Sequence, residues 1–316
     1  MEPSPLETWL LIVNPRAGNG RALRHHHQLA TLLAQHGLAC HTVISEGAGD
    51  PVRLTQQGLV QGYRKIAAVG GDGTLHQIVN GIFSMAEVPT GEVTLGLIPV
   101  GTGNDWARDV GIPAAWEKAV ALLAAGKTAW HDIGQIDGPG IAGDALPPGR
   151  VWFLNVAGIG FDAFVVQQLQ HRRSSRLIYL WGAVANLARF TPVPLTLAID
   201  GVAQGSSGSF ALFVALRRYC GQGMQVAPQA QSDDGLFDVT WIPDLSRSEV
   251  LWNLRRLYDG SLLTHPKVRS FRTARLSIAA PAGTPAEADG ELIGQAASPA
   301  EISFQILPRA LRIIVP

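Results

Sequence analysis

Val69-Gly70-Gly71-Asp72-Gly73-Thr74 is the stretch on which the fold turns. Ahead of it, the apolar run Ile66 to Val69 has the length and composition of a buried strand; behind it, Leu75 to Phe83 has helical periodicity. The segment therefore reads as a strand-to-helix turn. Glycines in such a turn let the backbone approach a phosphate chain closely, and free N–H groups at the helix start face an anion. Asp72 is the odd member, because a carboxylate beside phosphates repels them unless Mg²⁺ or a water network lies between. That makes it a candidate for metal organisation or proton transfer. A helix N-cap followed by Thr74 also accounts for a lone Gly-Asp-Gly.

Two more turns of the same kind flank it. Pro99-Val100-Gly101-Thr102-Gly103-Asn104-Asp105 again leads from an apolar run into a helical one. Its glycine amides and the Thr102 hydroxyl suit phosphate, while Asn104 and Asp105 suit a helix cap, ribose or metal. Asn14-Pro15-Arg16-Ala17-Gly18-Asn19-Gly20 leaves the first apolar run in the same way. No lysine or serine follows these glycines in Walker spacing, so a P-loop is unsupported. In an open parallel sheet, ligands collect beyond the strand C-termini, where three such turns can meet.

Around the turns, the pattern predicts strands at Trp9 to Val13, His41 to Ile44, Ile66 to Val69 and Thr94 to Ile98. Helices are expected at Arg21 to Gln35, Pro51 to Gln61, Leu75 to Phe83 and Ala114 to Ala125. Trp116, Val120 and Leu123 recur at helical spacing and read as core. Beyond Thr128 the character changes to Gly/Pro-rich stretches and short period-two strands. These are expected at Val151 to Ala157, Leu195 to Ile199 before an Asp200-Gly201 turn, Ser209 to Leu216, Phe237 to Ile242, Ser270 to Ala279 and Glu301 to Ile306. The series predicts an antiparallel sandwich or barrel. Ser246 and Glu249 form a capping box before a helix at Val250 to Tyr258. The expected domains are residues 1–128 and 129–316, with Leu311 to Val315 able to close either one.

Composition narrows the function classes. With 316 residues, 47% hydrophobic and 16% charged, there is material for two cores. Lys+Arg and Asp+Glu balance at 25 each, which argues against nucleic-acid binding and broad attraction to anionic surfaces. Cys40 and Cys220 stand far apart and suit a reducing compartment, each as a buried thiol. Trp9 to Val13 is too short for a signal-peptide core. Leu177 to Leu187, flanked by Arg172, Arg173, Arg176 and Arg189, is too short to span a bilayer, so no transmembrane segment is expected. That stretch is read as a helix packed on its own domain or an interfacial helix. His25-His26-His27 cannot converge from one helix face and reads as a solvated surface.

Together, Asn14 to Gly20, Gly70 to Thr74 and Gly101 to Asp105 resemble the diacylglycerol kinase catalytic-domain family, which includes sphingosine and ceramide kinases and bacterial lipid kinases. The likeness extends to Asn155, Gly158, Gly160, Phe161 and Asp162, to Asp234-Gly235-Leu236, and to Asp289-Gly290-Glu291. It implies a Rossmann-like α/β nucleotide-binding domain of NAD kinase and diacylglycerol kinase type, then an all-β sandwich domain that takes the lipid. It also implies ATP contacts at Asn14, Ser45, Gly71, Asp72, Gly73, Thr74 and Thr102, Mg²⁺ with the ATP, and Glu291 as proton acceptor. A second, structural Mg²⁺ or Ca²⁺ is implied at Gln231, Asp234 and Leu236. A surface turn at Asp289-Gly290 and a simple β-turn at Asp233 to Gly235 are the other readings of those segments. The chain departs from the pattern at His76 and Gln77, where relatives usually carry Asn and Glu.

The expected activity is transfer of the γ-phosphoryl group of ATP to a lipid hydroxyl, by a cytoplasmic protein that meets the inner membrane face peripherally. A homodimer is among the open assembly states. The alternatives are an NAD kinase-like small-molecule kinase, which shares Gly-Gly-Asp-Gly-Thr, and a catalytically silent lipid or nucleotide binder.

Overall fold

In the computed structural model, residues 4–24, 26–101, 103–143, 145–169, 185–297 and 301–316 are described. The chain forms two compact units: Met1–His131 with Asp144–Leu146 and Arg309–Pro316, and Asp132–Gly143 with Pro147–Pro308.

The first unit is a parallel sheet of β1 (Trp9–Val13), β2 (Cys40–Ile44), β3 (Lys65–Gly70) and β4 (Thr94–Pro99), in the order β2-β1-β3-β4. The inner strands are buried and apolar from Trp9 to Val13 and from Ile66 to Gly70 because helices cover both faces. These helices are α1 (Ala17–Arg24), α2 (His26–Gln35), α3 (Asp50–Val60), α4 (Asp72–Phe83), α5 (Asp105–Val110) and α6 (Trp116–Ala125). Trp9, Leu11, Val69 and Ile98 from the sheet pack with Leu29 and Leu33 of α2 and with Trp116, Val120 and Leu123 of α6, the periodic positions expected as core. The expected helix from Arg21 to Gln35 is two elements, and in α1 Gly18, Asn19 and Gly20 have positive φ, so right-handed helix begins only after the turn. Among the described residues neither cysteine forms a disulfide, and both are partly buried. Burial pushes the Cys40 thiol up to about 11.

On the opposite face α3 packs on α4 through Gly81, where a Cβ would lie 2.7 Å from Thr55 Cβ and 2.8 Å from the Val52 carbonyl. Gly81→Ala is therefore expected to overpack the pair and cost about 1–3 kcal/mol, read as a lower denaturation midpoint with an unchanged slope.

The second unit is antiparallel. It contains the later part of β5 (Thr128–Asp137), then β6 (Arg150–Phe153), β7 (Val156–Gly160), α7 (Phe161–Leu169), β8 (Val193–Ile199), β9 (Val202–Ala215), β10 (Tyr219–Cys220), β11 (Met224–Gln225) and β12 (Phe237–Pro243). It continues with β13 (Arg269–Thr273), β14 (Arg275–Ala279), β15 (Pro285–Ala288), β16 (Glu291–Gln295) and the first part of β17 (Glu301–Ile314). Its main path is β16-β15-β7-β9-β8-β14-β17. The Ser246–Glu249 capping box is present, opening a helix at Arg247–Asn253. The expected single strand Val151 to Ala157 is two, because the amides of Leu154 and Asn155 donate to the Asp289 carboxylate instead of a ladder. The end of β17 is a parallel neighbour of β4, with Arg312 opposite Thr94 and Ile313 opposite Leu95.

Candidate active site

The order β2-β1-β3-β4 places a topological switch between β1 and β3, since the chain leaves β1 toward β2 on one side and resumes with β3 on the other. The crevice beyond that point is where ligands bind in such sheets. The three glycine-rich turns occupy it. Asn14 N donates to the Val69 carbonyl (3.0 Å), and Asn14 Nδ2 donates to Thr74 Oγ1 (3.0 Å). Gly18 sits so close to the third turn that a Cβ would lie 2.4 Å from the Val100 carbonyl. Gly101 meets Gly71 backbone to backbone: a Cβ on Gly101 would lie 2.8 Å from Gly71 Cα. Side chains at these positions would push the loops apart.

Asp72 ties two of the turns together. It is the first residue of α4, behind the N-cap Gly71, and its carboxylate reaches the start of α5. Oδ2 accepts from Asp105 N (3.0 Å) and Oδ1 from Trp106 N (3.3 Å). The N-terminus of α4 has no side-chain cap, so no side chain competes with an anion for the positive end of the helix dipole. Together with the bare glycine backbone, this helix end fits a polyphosphate. A carboxylate with about four lone-pair sites keeps acceptors for a hydrated cation after two amide bonds. Asn104, at φ 50°, holds the third turn by donating from Nδ2 to the Gly101 carbonyl (2.7 Å). Among the described residues its Oδ1 is buried without a partner.

Of the other nucleotide-contact expectations, Ser45 is buried beyond β2, with its Oγ donating to the Val13 carbonyl (3.3 Å). Thr102 lies outside the described residues, as do His25 and most of the Leu177 to Leu187 stretch. His76 is buried, and its carbonyl accepts from Asn80 Nδ2 (2.8 Å), with the Nε2 of its ring 3.3 Å from the same amide nitrogen. This places it in a hydrogen-bonded helix interior. Gln77 Oε1 is buried with no partner among the described residues.

Glu291 stands exposed as the first residue of β16, just past a two-residue hairpin. Asp289 (φ 54°) and Gly290 (φ 84°) both lie in the left-handed region, the type I′ geometry that suits Asp-Gly. The turn is clamped. The Asp289 carboxylate accepts from Leu154 N (3.2 Å) and Asn155 N (2.9 Å), its own N–H donates to the Val156 carbonyl (2.8 Å), and Gly290 N donates to Glu287 Oε2 (2.8 Å). Glu287 escaped the sequence reading, since one glutamate between alanines in a short strand gives no period-two signal.

Of the residues expected to hold a second ion, Gln231, Asp234 and Leu236, Asp234 has its carboxylate in a local network. Asp234 Oδ2 is ion-paired with Arg272, and Oδ1 accepts from Leu236 N (3.1 Å). Gly235, at φ 77°, donates to Asp132 Oδ2 (2.7 Å). No group of three or more His, Cys, Asp or Glu able to hold a metal occurs among the described residues.

A doubly covered parallel sheet with glycine turns at its switch point, joined to an antiparallel unit, defines the two-domain fold shared by NAD kinases and diacylglycerol kinases. Residues 8–136 match the diacylglycerol kinase catalytic domain, and residues 155–315 match the YegS C-terminal NAD kinase beta sandwich-like domain. The chain is 30% identical over 310 residues to a diacylglycerol kinase of Mycobacterium tuberculosis, covering 96% of this chain and 94% of that one. The chain belongs to the diacylglycerol kinase family. In fold it is similar to a crystal structure of a diacylglycerol kinase from Bacillus anthracis (TM-score 0.71, 20% identity, 98% and 97% of the two chains). It is more distantly similar to an NAD kinase from Archaeoglobus fulgidus in complex with ATP (TM-score 0.52, 13% identity, 97% and 93%).

Proposed function

We propose that this chain transfers the γ-phosphoryl group of ATP to a hydroxyl of a lipid such as diacylglycerol. The observation that carries this is the convergence of Asn14, Gly18, Gly71, Asp72 and Gly101 at the switch point, on an uncapped helix N-terminus. Phosphoryl transfer depends chiefly on positioning and charge neutralisation, which convergent amides supply. The amides at the start of α4 bind the phosphates. Asn14, Ser45, Gly71, Gly73, Thr74 and Thr102 complete the nucleotide contacts, and Asp72 orients the hydrated Mg²⁺ that accompanies ATP. When bound, that ion would supply charge neutralisation to the transferring phosphates. The lipid oxygen forms a bond to the γ-phosphorus as the bond to the β-bridging oxygen breaks, ADP leaves, and the hydroxyl proton passes to the Glu291 carboxylate.

The substrate brings the protein to a membrane surface as a peripheral, cytoplasmic enzyme; no helix among the described residues is long and apolar enough to cross a membrane. Two substrate classes share the Gly-Gly-Asp-Gly-Thr turn, so the deciding test offers both. With γ-labelled ATP, label is expected in the organic phase of a total lipid extract and not in NADP when NAD is supplied. Label in NADP alone would assign the small-molecule kinase. ATP binding with no labelled product in either arm would assign a silent binder.

A further inference from the structure

Two carboxyl groups that play no part in that reaction are buried together beneath the Glu291 hairpin. Glu287 lies opposite Gly158 across the β15–β7 ladder, and Asp162, in the first turn of α7, folds back over the same glycine. A Cβ on Gly158 would lie 1.5 Å from Asp162 Oδ2 and 2.9 Å from Glu287 Oε1, so only glycine leaves room for the pair. Asp162 is 7% exposed and Glu287 5%. Among the described residues, neither Asp162 oxygen finds a conventional hydrogen-bond donor. Both oxygens lie against that one Cβ position, which brings the two carboxyls face to face; a hydrogen bond between them requires a proton on one. The other oxygen of Glu287 holds Gly290 N, the residue next to Glu291.

We propose that Asp162 and Glu287 are a proton-sharing pair that positions Glu291 by locking the Asp289-Gly290 turn in place. The inference rests on the reading of Glu291 as proton acceptor and adds two positioning residues to it. Burial, then the facing Asp162 charge, holds Glu287 well above the usual carboxylate range; burial raises Asp162 to about 7. The charged groups facing Glu287 are Asp162 and Asp289. Asp162 is the only ionisable residue of α7, Glu291 the only one of β16, and β7 and β9 contain none. These groups are all acids, so losing the proton sets like charges against one another beneath the turn. Because folding raises both groups above their unfolded values, the stabilisation is complete below about 4 and fades as pH rises through about 7.

The test follows amide exchange of the 288–291 hairpin and turnover of the full chain across pH 5 to 9. In the unsubstituted protein, hairpin exchange should rise about tenfold beyond its intrinsic pH dependence toward the alkaline end of that range, where Glu287 gives up the shared proton, and kcat should fall with it. Glu287→Gln can donate to Asp162 and accept from Gly290 without ionising, so it should keep the hairpin protected and flatten the alkaline limb. Glu287→Ala should leave the hairpin open at every pH and lower kcat roughly 100-fold with an unchanged KM for ATP. Because that variant strands the Asp162 charge, Asp162→Asn is the second probe and should also flatten the alkaline limb. Equal protection in the unsubstituted protein and Glu287→Ala at every pH would overturn the lock while leaving the Glu291 assignment intact. An open hairpin with full turnover in Glu287→Ala would overturn the positioning role. The separate variant Glu291→Gln tests the reading beneath it.

Discussion

Glu291→Gln is expected to lower kcat by about 10²- to 10⁴-fold, the usual contribution of a positioned general base. The substitution is nearly isosteric, and the backbone pairing of position 291 with Ala288 does not depend on the side chain. Glu291 is also exposed, so folding stability should stay within about 0.5 kcal/mol of the unsubstituted protein. The proposed ATP contacts lie on other residues, so KM for ATP should be unchanged. Steady-state kinetics with saturating lipid, beside a denaturation curve, separates these quantities. A variant as fast as the original would remove Glu291 from the reaction, and a slow but destabilised one would make it a structural residue.

Asp72→Ala is expected to damage stability and turnover together, and Asp72→Asn to separate them. The carboxylate is the shared partner of two main-chain amides at the start of α5, and Trp106 behind it is only 1% exposed. Removing it leaves those amides without a charged acceptor, at a cost of about 1–3 kcal/mol. It also frees the third turn from the second, so ATP binding should weaken. Asparagine can still accept from one amide while its NH₂ group opposes the other, so its stability should lie between the two. If Asp72 also orients the hydrated Mg²⁺, Asp72→Asn should lose about 10- to 100-fold in kcat, far more than its stability change would produce. Calorimetry of Mg-ATP binding and single-turnover rates would show this. Rate losses that merely track the melting temperature in both variants would reduce Asp72 to a clamp.

The turns themselves were legible before any coordinates. Each glycine-rich segment sits between an apolar run and a helical one, and those are local signals. The four N-terminal strands, the core positions Trp116, Val120 and Leu123, the Ser246–Glu249 capping box and the Asp200-Gly201 hairpin were readable for the same reason, since each is a pattern within a few residues. The strands β15 and β16 were missed, and the helix expected after Asp105 was given no end. Asp105 to Val110 is too brief for a helical period to mark where it stops, and Pro285 to Ala288 has all four residues buried, so it has no alternation to detect.

Sequence alone determined the two kinds of architecture, the three phosphate-type turns and the family resemblance, because backbone preference and hydrophobic period are set by near neighbours. Tertiary structure alone decided what the acids do. Asp72 finds its amides 33 residues away and Asp289 finds one of its own 134 residues away. It likewise decided that the final strand pairs with β4 and that Glu287 meets Asp162 over Gly158. A carboxyl group's role depends on which donors, charges and how much water surround it, and those neighbours are gathered only when distant segments pack.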